Sequence, residues 1–171
     1  TILTKPAAPT GVAATKTLFD KVTITWTKST GATDYHVWRD TTDLTPSGAG
    51  DVATYNDTTA GAPTVTAGTA SATDGSATDR VTLSISGASA NNGTSYTHKV
   101  VASNATGNSA DSATDTGYRA PGALTYQWYR SSGDADSGYS MLSSATTTPY
   151  DDTAAPAPTI TTCSRRCAAT R

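Results

Sequence analysis

The side chains best suited to chemistry in this chain are few, and they do not form one motif. The two histidines, His36 and His98, share no motif with each other or with a nucleophile. The sequence has no HExxH helix, no nucleophile elbow and no phosphate-binding glycine loop. We expect His36 to be solvated and His98 to be a hydrogen-bonded core group. Since no acid–base or nucleophile constellation is present, the sequence favours a protein without enzymatic activity.

Two short motifs contain residue types that bind metals. Asp134 and Asp136 precede Gly138 in the manner of the first half of a calcium loop, but the distal Glu is missing, so we favour a solvated turn. Cys163 and Cys167 have no histidine or third cysteine nearby. A local or intermolecular disulfide is therefore favoured over zinc, with two free thiols as the remaining alternative. We predict no metal and no cofactor.

Two aromatic residues on outward strand faces are candidates for contacts with a partner or a glycan. Trp38 and Tyr129 present flat rings that suit either a sugar or a neighbouring chain. The alternative is that each is one half of a cross-strand pair on its own sheet. Sequons at Asn56, Asn92 and Asn104 would mark surface loops if the source glycosylates, although chance sequons are expected in so threonine-rich a chain.

The composition predicts an all-β protein. The 171 residues contain no Glu, little Leu and one Met, so good helix formers are scarce. Thr, Val, Tyr and Trp fit pleated sheets, and Gly, Pro, Asn and Asp interrupt them. The net charge is -2 and the basic residues are scattered, which argues against a nucleic-acid partner. No apolar run approaches the roughly 20 residues of a membrane helix, so no membrane span is expected.

Alternating residues predict strands with one face of rings and aliphatic side chains. Such strands start near Val12, Val22, Tyr35 and Tyr96. The last of these strands has His98, Val100 and Ala102 on the face of Tyr96, and Asn104 and Gly107 end it. We expect these strands to close as two stacked layers.

These strands resemble the fibronectin type III family of immunoglobulin-like sandwiches. Tyr96–Ser109 is similar to strand F and the F–G turn, and Trp26 stands where strand B of that family has its core tryptophan. Gly31–Arg39 resembles strand C, and Val52–Asp57 resembles the strand E region. The resemblance implies that the Tyr96 hydroxyl bonds to nearby backbone at a corner of the sandwich. It also implies the kind of module found in bacterial surface proteins, secreted enzymes and phage structural proteins.

An internal repeat interrupts this pattern. The stretches 62–65 and 79–85 echo 8–11 and 20–26, which predicts a second A–B hairpin inserted before strand F, at about 60–92. Further along, 122–130 aligns with 31–39, and 150–161 aligns with 55–66. A period near ninety residues is the size of an immunoglobulin-like domain. Trp128 then resembles the tryptophan that immunoglobulin strand C buries between its sheets.

We therefore predict tandem immunoglobulin-like, fibronectin type III-like β-sandwiches. The first covers 1–118 and includes the inserted hairpin, and 119–171 forms a partial second unit. If the inserted strands serve the second unit, they supply its A and B strands; if they serve the first, the second is half a sandwich. In either case we expect the second unit to be incomplete or completed by a neighbouring chain, unless the chain is a fragment.

The predicted function is non-enzymatic and extracellular. We expect a structural or adhesive module, a subunit of a surface fibre, filament or other repeating assembly, located outside the cell, at the cell surface or on a virion. The expected partner is a further copy joined through strand edges. The competing prediction is a carbohydrate-binding accessory module of a larger secreted protein, and the third is an enzyme fragment. The resemblance does not choose among them, because one fold hosts many functions.

Overall fold

The computed structural model describes residues 4–73, 81–131 and 137–154. Within them the chain is all-β, with antiparallel sheets and no helix, which confirms the predicted fold class. The strands are β1 (Thr10–Ala14), β2 (Val22–Thr27), β3 (Asp34–Arg39), β4 (Thr42–Asp43), β5 (Thr54–Asp57), β6 (Thr64–Thr66), β7 (Thr69–Thr73), β8 (Val81–Ser86), β9 (Ser89–Asn91), β10 (Tyr96–Asn104), β11 (Gly107–Asn108), β12 (Asp115–Gly117), β13 (Tyr129–Ser131), β14 (Tyr139–Met141) and β15 (Tyr150–Asp152).

The chain divides into two compact units that are interleaved in sequence. Unit 1 consists of Thr1–Thr64 and Asn91–Gly122, and unit 2 consists of Val65–Ala90 and Ala123–Arg171. The chain therefore leaves unit 1 before that unit is complete, forms two strands of unit 2, and then returns. β6 and β9 pair as a two-stranded ladder where the chain leaves and returns.

Unit 1 contains two antiparallel sheets. One has the order β1-β2-β5, and the other has the order β11-β10-β3-β4, with β12 also paired to β10. The longest ladder joins β10 to β3 and places Val100 opposite Val37 and Ala102 opposite Tyr35. Because side chains alternate along a strand, this register directs all four of these side chains to one face.

A single core lies between these two sheets. Val22, Ile24 and Trp26 of β2 meet Tyr35 and Val37 of β3, and the Trp26 and Tyr35 rings lie 5.5 Å apart with a tilt of 49°. Each fully buried aliphatic or aromatic side chain of this kind stabilises the fold by roughly 1.5–3 kcal/mol. The predicted closure of two stacked layers is thus found in unit 1, with Trp26 and Tyr96 packed on the same core cluster.

The last strand of unit 1 closes against the first. The Ala14 amide donates to the Asp115 carboxylate at 2.8 Å, and the Tyr118 amide donates to the Thr15 carbonyl at 3.2 Å. Gly117 lies at this contact, where a Cβ atom would come within 2.6 Å of Val22 Cγ1. A residue without a side chain is required here because the two layers approach too closely for even a methyl group.

Unit 2 repeats part of this plan. One sheet has the order β15-β8-β7, and β13 pairs with β14. Leu83, Trp128 and Ala145 form the buried core, and the Trp128 indole N–H donates to the Thr147 carbonyl at 2.8 Å. Of the two alternatives left by the sequence, the structure therefore has the inserted strand β8 in unit 2.

The two units share strand registers. Val22 lies opposite Asp57 and Ile24 opposite Tyr55 in unit 1. In unit 2 Val81 lies opposite Asp152 and Leu83 opposite Tyr150, at the repeat-equivalent positions. The first strand differs from the expectation, because β7 pairs with β8 whereas the Val65 stretch lies in β6. The small, polar sequence of β7 has no apolar alternation by which a strand would be recognised.

Candidate functional site

A buried ion pair joins the two sheets of unit 1. Arg39 ends β3 and Asp57 ends β5, and the Arg39 Nη1 donates to both carboxylate oxygens at 2.9 and 3.2 Å. The Thr59 amide and hydroxyl also donate to Asp57 Oδ1. The guanidinium carbon lies 4.7 Å from the centre of the Tyr96 ring. A fully buried carboxylate is tolerated here because both of its oxygens accept hydrogen bonds.

Tyr96 makes a different contact from the one that the family resemblance implies. The Arg39 guanidinium lies over the face of the Tyr96 ring. The Tyr96 hydroxyl has no hydrogen bond among the described residues. In the same unit the Tyr35 hydroxyl accepts the Ser29 amide at 2.8 Å, and the Tyr55 hydroxyl donates to the Leu44 carbonyl at 3.3 Å. Tyr96 therefore supports the ion pair.

His98 lies beside this ion pair on β10. The ring is fully buried, as expected for a core group, but neither nitrogen has a hydrogen-bond partner among the described residues. Its Nε2 atom lies 3.7 Å from Asp57 Oδ2, which is longer than a hydrogen bond. The predicted inward position is found, and the predicted hydrogen bond is not.

Burial and charge set the protonation states of this cluster. Desolvation lowers the pKa of His98 below its usual 6.5, although the Asp57 carboxylate acts in the opposite sense. Burial alone would raise the pKa of Asp57, but the hydrogen bonds from Thr59 and the charge of Arg39 outweigh it and lower that pKa below 3.8. At neutral pH the cluster thus contains a neutral imidazole and an ionised carboxylate that Arg39 already neutralises. The carboxylate and the imidazole of this cluster are both buried, so neither is open to solvent.

Unit 2 contains the same ion pair. The Arg130 Nη1 donates to both oxygens of Asp152 at 3.0 Å, and the Ala154 amide donates to Asp152 Oδ1 at 3.2 Å. Arg130 and Asp152 occupy the repeat positions of Arg39 and Asp57. The patterns of single strands do not predict this ion pair. The repeat alignment could have predicted it, because it places an Arg and an Asp at matching positions in both units.

Trp38 lies half-buried on the outer face of β3. Lys99 stands directly opposite on β10, and its Nζ lies 5.4 Å from the centre of the indole ring. The same ammonium donates to Asp111 at 2.6 Å. The ring proposed for partner contacts is therefore partly covered by its own sheet, with the geometry of a cross-strand pair.

Tyr129 lies half-buried at the repeat-equivalent position in unit 2. Its cross-strand neighbour is Met141, whose side chain is 61% exposed. Tyr129 and Trp38 belong to different units, so the two aromatic candidates are two separate features.

His36 is less exposed than the sequence suggested. Its Nδ1 atom lies 3.2 Å from Asp43 Oδ2, and each of these two side chains retains about a fifth of its accessible surface. The histidine was expected to be solvated, but the antiparallel β3–β4 hairpin brings Asp43 against it.

The three sequon asparagines differ in their surroundings. Asn56 is exposed on β5 and accepts the Thr23 hydroxyl, and Asn92 is exposed before β10. The Asn104 amide donates to the carbonyls of Thr4 and Gly31 at 2.8 and 3.0 Å. The side chain of Asn104 therefore links the end of β10 to the backbone at Thr4 and Gly31.

Several predicted features lie outside the described residues. These are Cys163 and Cys167, and the aspartates Asp134 and Asp136. Within 4–73, 81–131 and 137–154 no three potential metal-ligating side chains cluster. The same residues include no helix with the length and apolarity that crossing a membrane would require.

Comparison with family models, with curated proteins and with solved structures finds no match to this chain. The inference of function therefore begins from the two units themselves.

Proposed function

We propose that this chain is a non-enzymatic structural or adhesive module of tandem immunoglobulin-like, fibronectin type III-like sandwiches. It acts outside the cell, at the cell surface or on a virion, as a subunit of a fibre, filament or other repeating assembly. Copies associate through the edges of their sheets.

The strand order of unit 1 supports the family part of this proposal. β1, β2 and β5 pair in the order that strands A, B and E have in such sandwiches, and β4, β3, β10 and β11 follow the order C′, C, F and G. The burial of Trp26 on β2 in the core, with Tyr96 of β10 packed against the same core, also supports it.

The observation that carries the functional part is the edge of β13. Within the described part of the chain β13 pairs with β14 alone, whereas its equivalent β3 is flanked by both β4 and β10. An unpaired strand edge is a template for another strand, and natural sheets either cover such edges or use them for assembly. An assembly subunit makes use of an edge of this kind.

Sedimentation velocity over a wide concentration range tests the proposal. We expect species heavier than the 17.4 kDa chain, with a mass that rises with concentration. Electron microscopy of the same samples distinguishes filaments from closed particles. A monodisperse 17.4 kDa species at the highest concentration would overturn the proposed assembly.

Binding of a glycan is the second candidate function, and the Trp38 face favours it. A half-buried indole with a lysine and an aspartate beside it offers a stacking surface and polar groups for sugar hydroxyls. Replacing Trp38 and Tyr129 with Ala should abolish glycan-array binding and leave the fold intact. Phe19→Ala removes a ring that is 67% exposed and serves as the matched control. Unchanged binding by the double variant would remove this candidate.

A further inference from the structure

The three sequons differ in how the folded chain presents the asparagine that would accept a glycan. An N-linked glycan is attached through the side-chain nitrogen of the asparagine, and the hydroxyl two residues later is part of the recognised sequence. Both side chains must therefore be reachable in the folded protein. Asn-x-Thr triplets also arise by chance in a threonine-rich chain, so the structure around each triplet has to distinguish them.

The side-chain amide of Asn104 is fully engaged. Its nitrogen donates to the carbonyls of Thr4 and Gly31 at 2.8 and 3.0 Å. Its oxygen accepts the Thr106 amide at 2.8 Å. A nitrogen that donates both of its hydrogens can react only after these bonds break. The fold therefore protects Asn104.

Asn56 lies inside a paired strand. It stands on β5 opposite Thr23 of β2, whose hydroxyl donates to the Asn56 side-chain oxygen at 2.8 Å. The middle residue of this sequon is Asp57, whose buried carboxylate accepts the Arg39 guanidinium. An enzyme that bound Asn56 and Thr58 together would have to lift the segment and break that ion pair, which is costly. Asn56 is exposed, but its segment is held in the sheet.

Asn92 lies in the irregular connection between β9 and β10. The side chains of Asn92 and Thr94 are both exposed. Gly93, between them, faces the body of unit 1, because its amide donates to the Arg119 carbonyl at 2.8 Å and a Cβ atom there would overlap the Gly61 carbonyl. The middle residue thus anchors the turn, and the residues on either side of it are presented to solvent.

We propose that Asn92 is the site at which the folded chain accepts an N-linked glycan, with Thr94 as the recognised hydroxyl. The co-substrate is a sugar carried on a polyprenyl diphosphate. The Asn92 side-chain nitrogen attacks the anomeric carbon of that sugar and loses one proton, the bond from this carbon to the diphosphate oxygen breaks, and the lipid diphosphate leaves. The inference goes beyond the proposed role in assembly and does not depend on it.

Glycosylation of the purified, folded full chain tests this inference. The chain is incubated with an oligosaccharyltransferase and a lipid-diphosphate-linked glycan, and mass spectrometry follows the occupancy of each sequon. Short peptides that contain the same three sequons give the intrinsic rates. We expect the ratio of folded-chain rate to peptide rate to be at least about tenfold higher at Asn92 than at Asn56 or Asn104, since only the latter two need local unfolding first.

Variants of the same turn separate the acceptor from its surroundings. Asn92→Gln should remove the modification, whereas Asn91→Gln, at the exposed neighbouring position outside the sequon, should leave it unchanged. Thr94→Val removes the hydroxyl and keeps the shape of the side chain, so it should abolish the reaction. Thr94→Ser keeps the hydroxyl and should be glycosylated.

Three results would overturn the inference. One is a folded chain that stays unmodified at Asn92. The second is an equal ratio of folded to peptide rate at all three sequons. The third is modification of Thr94→Val at the rate of the parent chain. Failure of the proposed assembly would appear separately, as a monomer in sedimentation, and would leave the reactivity of Asn92 unchanged.

Discussion

The two units of this chain are built from the same strand pairs, and in the part of the chain that the structure describes they differ in how many strands close each sandwich. Both have a three-stranded sheet with the same register. Both also have a hairpin, β3–β4 in unit 1 and β13–β14 in unit 2, and an Arg–Asp pair with a buried carboxylate. In unit 1, β10 and β12 complete the second sheet, and the described core has buried residues on four strands, β1, β2, β3 and β10. The described core of unit 2 has three buried residues, Leu83, Trp128 and Ala145.

The register and the ion pair are therefore present in both units, although among the described residues only unit 1 has a strand equivalent to β10. The Asp57 side chain is fully buried and Arg39 is 18% exposed, but Arg130 in unit 2 is 32% exposed. The same two residue types therefore stand in environments of different dielectric, and their energies should differ accordingly.

The largest expected effect comes from Trp128→Ala. This residue is the largest fully buried side chain of the protein, and its truncation should destabilise unit 2 by about 3–5 kcal/mol. Hydrogen exchange followed by mass spectrometry should show lost protection at β8, β13 and β15, with β2, β3 and β10 unchanged. Trp38→Ala, at a half-buried position, is the control. Equal loss of protection in both units would show that they do not unfold independently.

The ion pairs give the second comparison. Asp57→Asn leaves a mostly buried guanidinium beside a neutral amide and should cost unit 1 about 3 kcal/mol. Asp152→Asn should cost unit 2 about 1 kcal/mol, because Arg130 can turn toward water. Urea denaturation monitored by hydrogen exchange of each unit measures both values. Equal losses would mean that burial of the arginine does not decide the energy of the pair.

The third comparison concerns pH, because both histidines lie in unit 1. The folded state lowers the pKa of His98, so the unfolded state binds the extra proton below pH 6.5. The stability of unit 1 should therefore fall as pH drops below 6.5, by up to about 1.4 kcal/mol per pH unit. The lowered pKa of Asp57 adds a second loss below pH 3.8.

Unit 2 supplies the internal reference for this titration. It should show no loss between pH 6.5 and 5, where it has no histidine to protonate. His98→Gln should remove the upper window from unit 1 and keep the lower one. If unit 1 of His98→Gln still loses stability below pH 6.5, another group is responsible.

The smallest expected effect lies on the outer face of unit 1. Lys99→Gln removes the ammonium over Trp38 and should cost about 0.5–1 kcal/mol. Lys28→Gln breaks an exposed pair with Asp51 and should cost less than about 0.5 kcal/mol. Chemical denaturation at low and high salt compares the two variants. A larger loss for Lys28→Gln would exclude the contribution of the indole.

The strands of unit 1 could be predicted because their patterns are strong. Val22, Ile24 and Trp26 alternate with threonines, and the same spacing in Tyr96–Ala102 marks a half-buried strand. β7 could not be predicted in this way, because a run of Thr, Ala and Ser has no contrast between its two faces. The exposure of His36 was misjudged because Asp43 reaches it through a hairpin, and its position on the strand does not show this contact.

The sequence by itself determined the all-β class, the alternation that builds the core of unit 1, and the repeat that matches Arg39 and Asp57 with Arg130 and Asp152. These properties are local or periodic, so they can be counted along the chain. Only the tertiary structure decided that β8 pairs with β15, that the ion pairs are buried, and that β13 has one partner among the described residues. Pairing between distant strands depends on which faces and edges meet in space, and residue spacing does not contain that information.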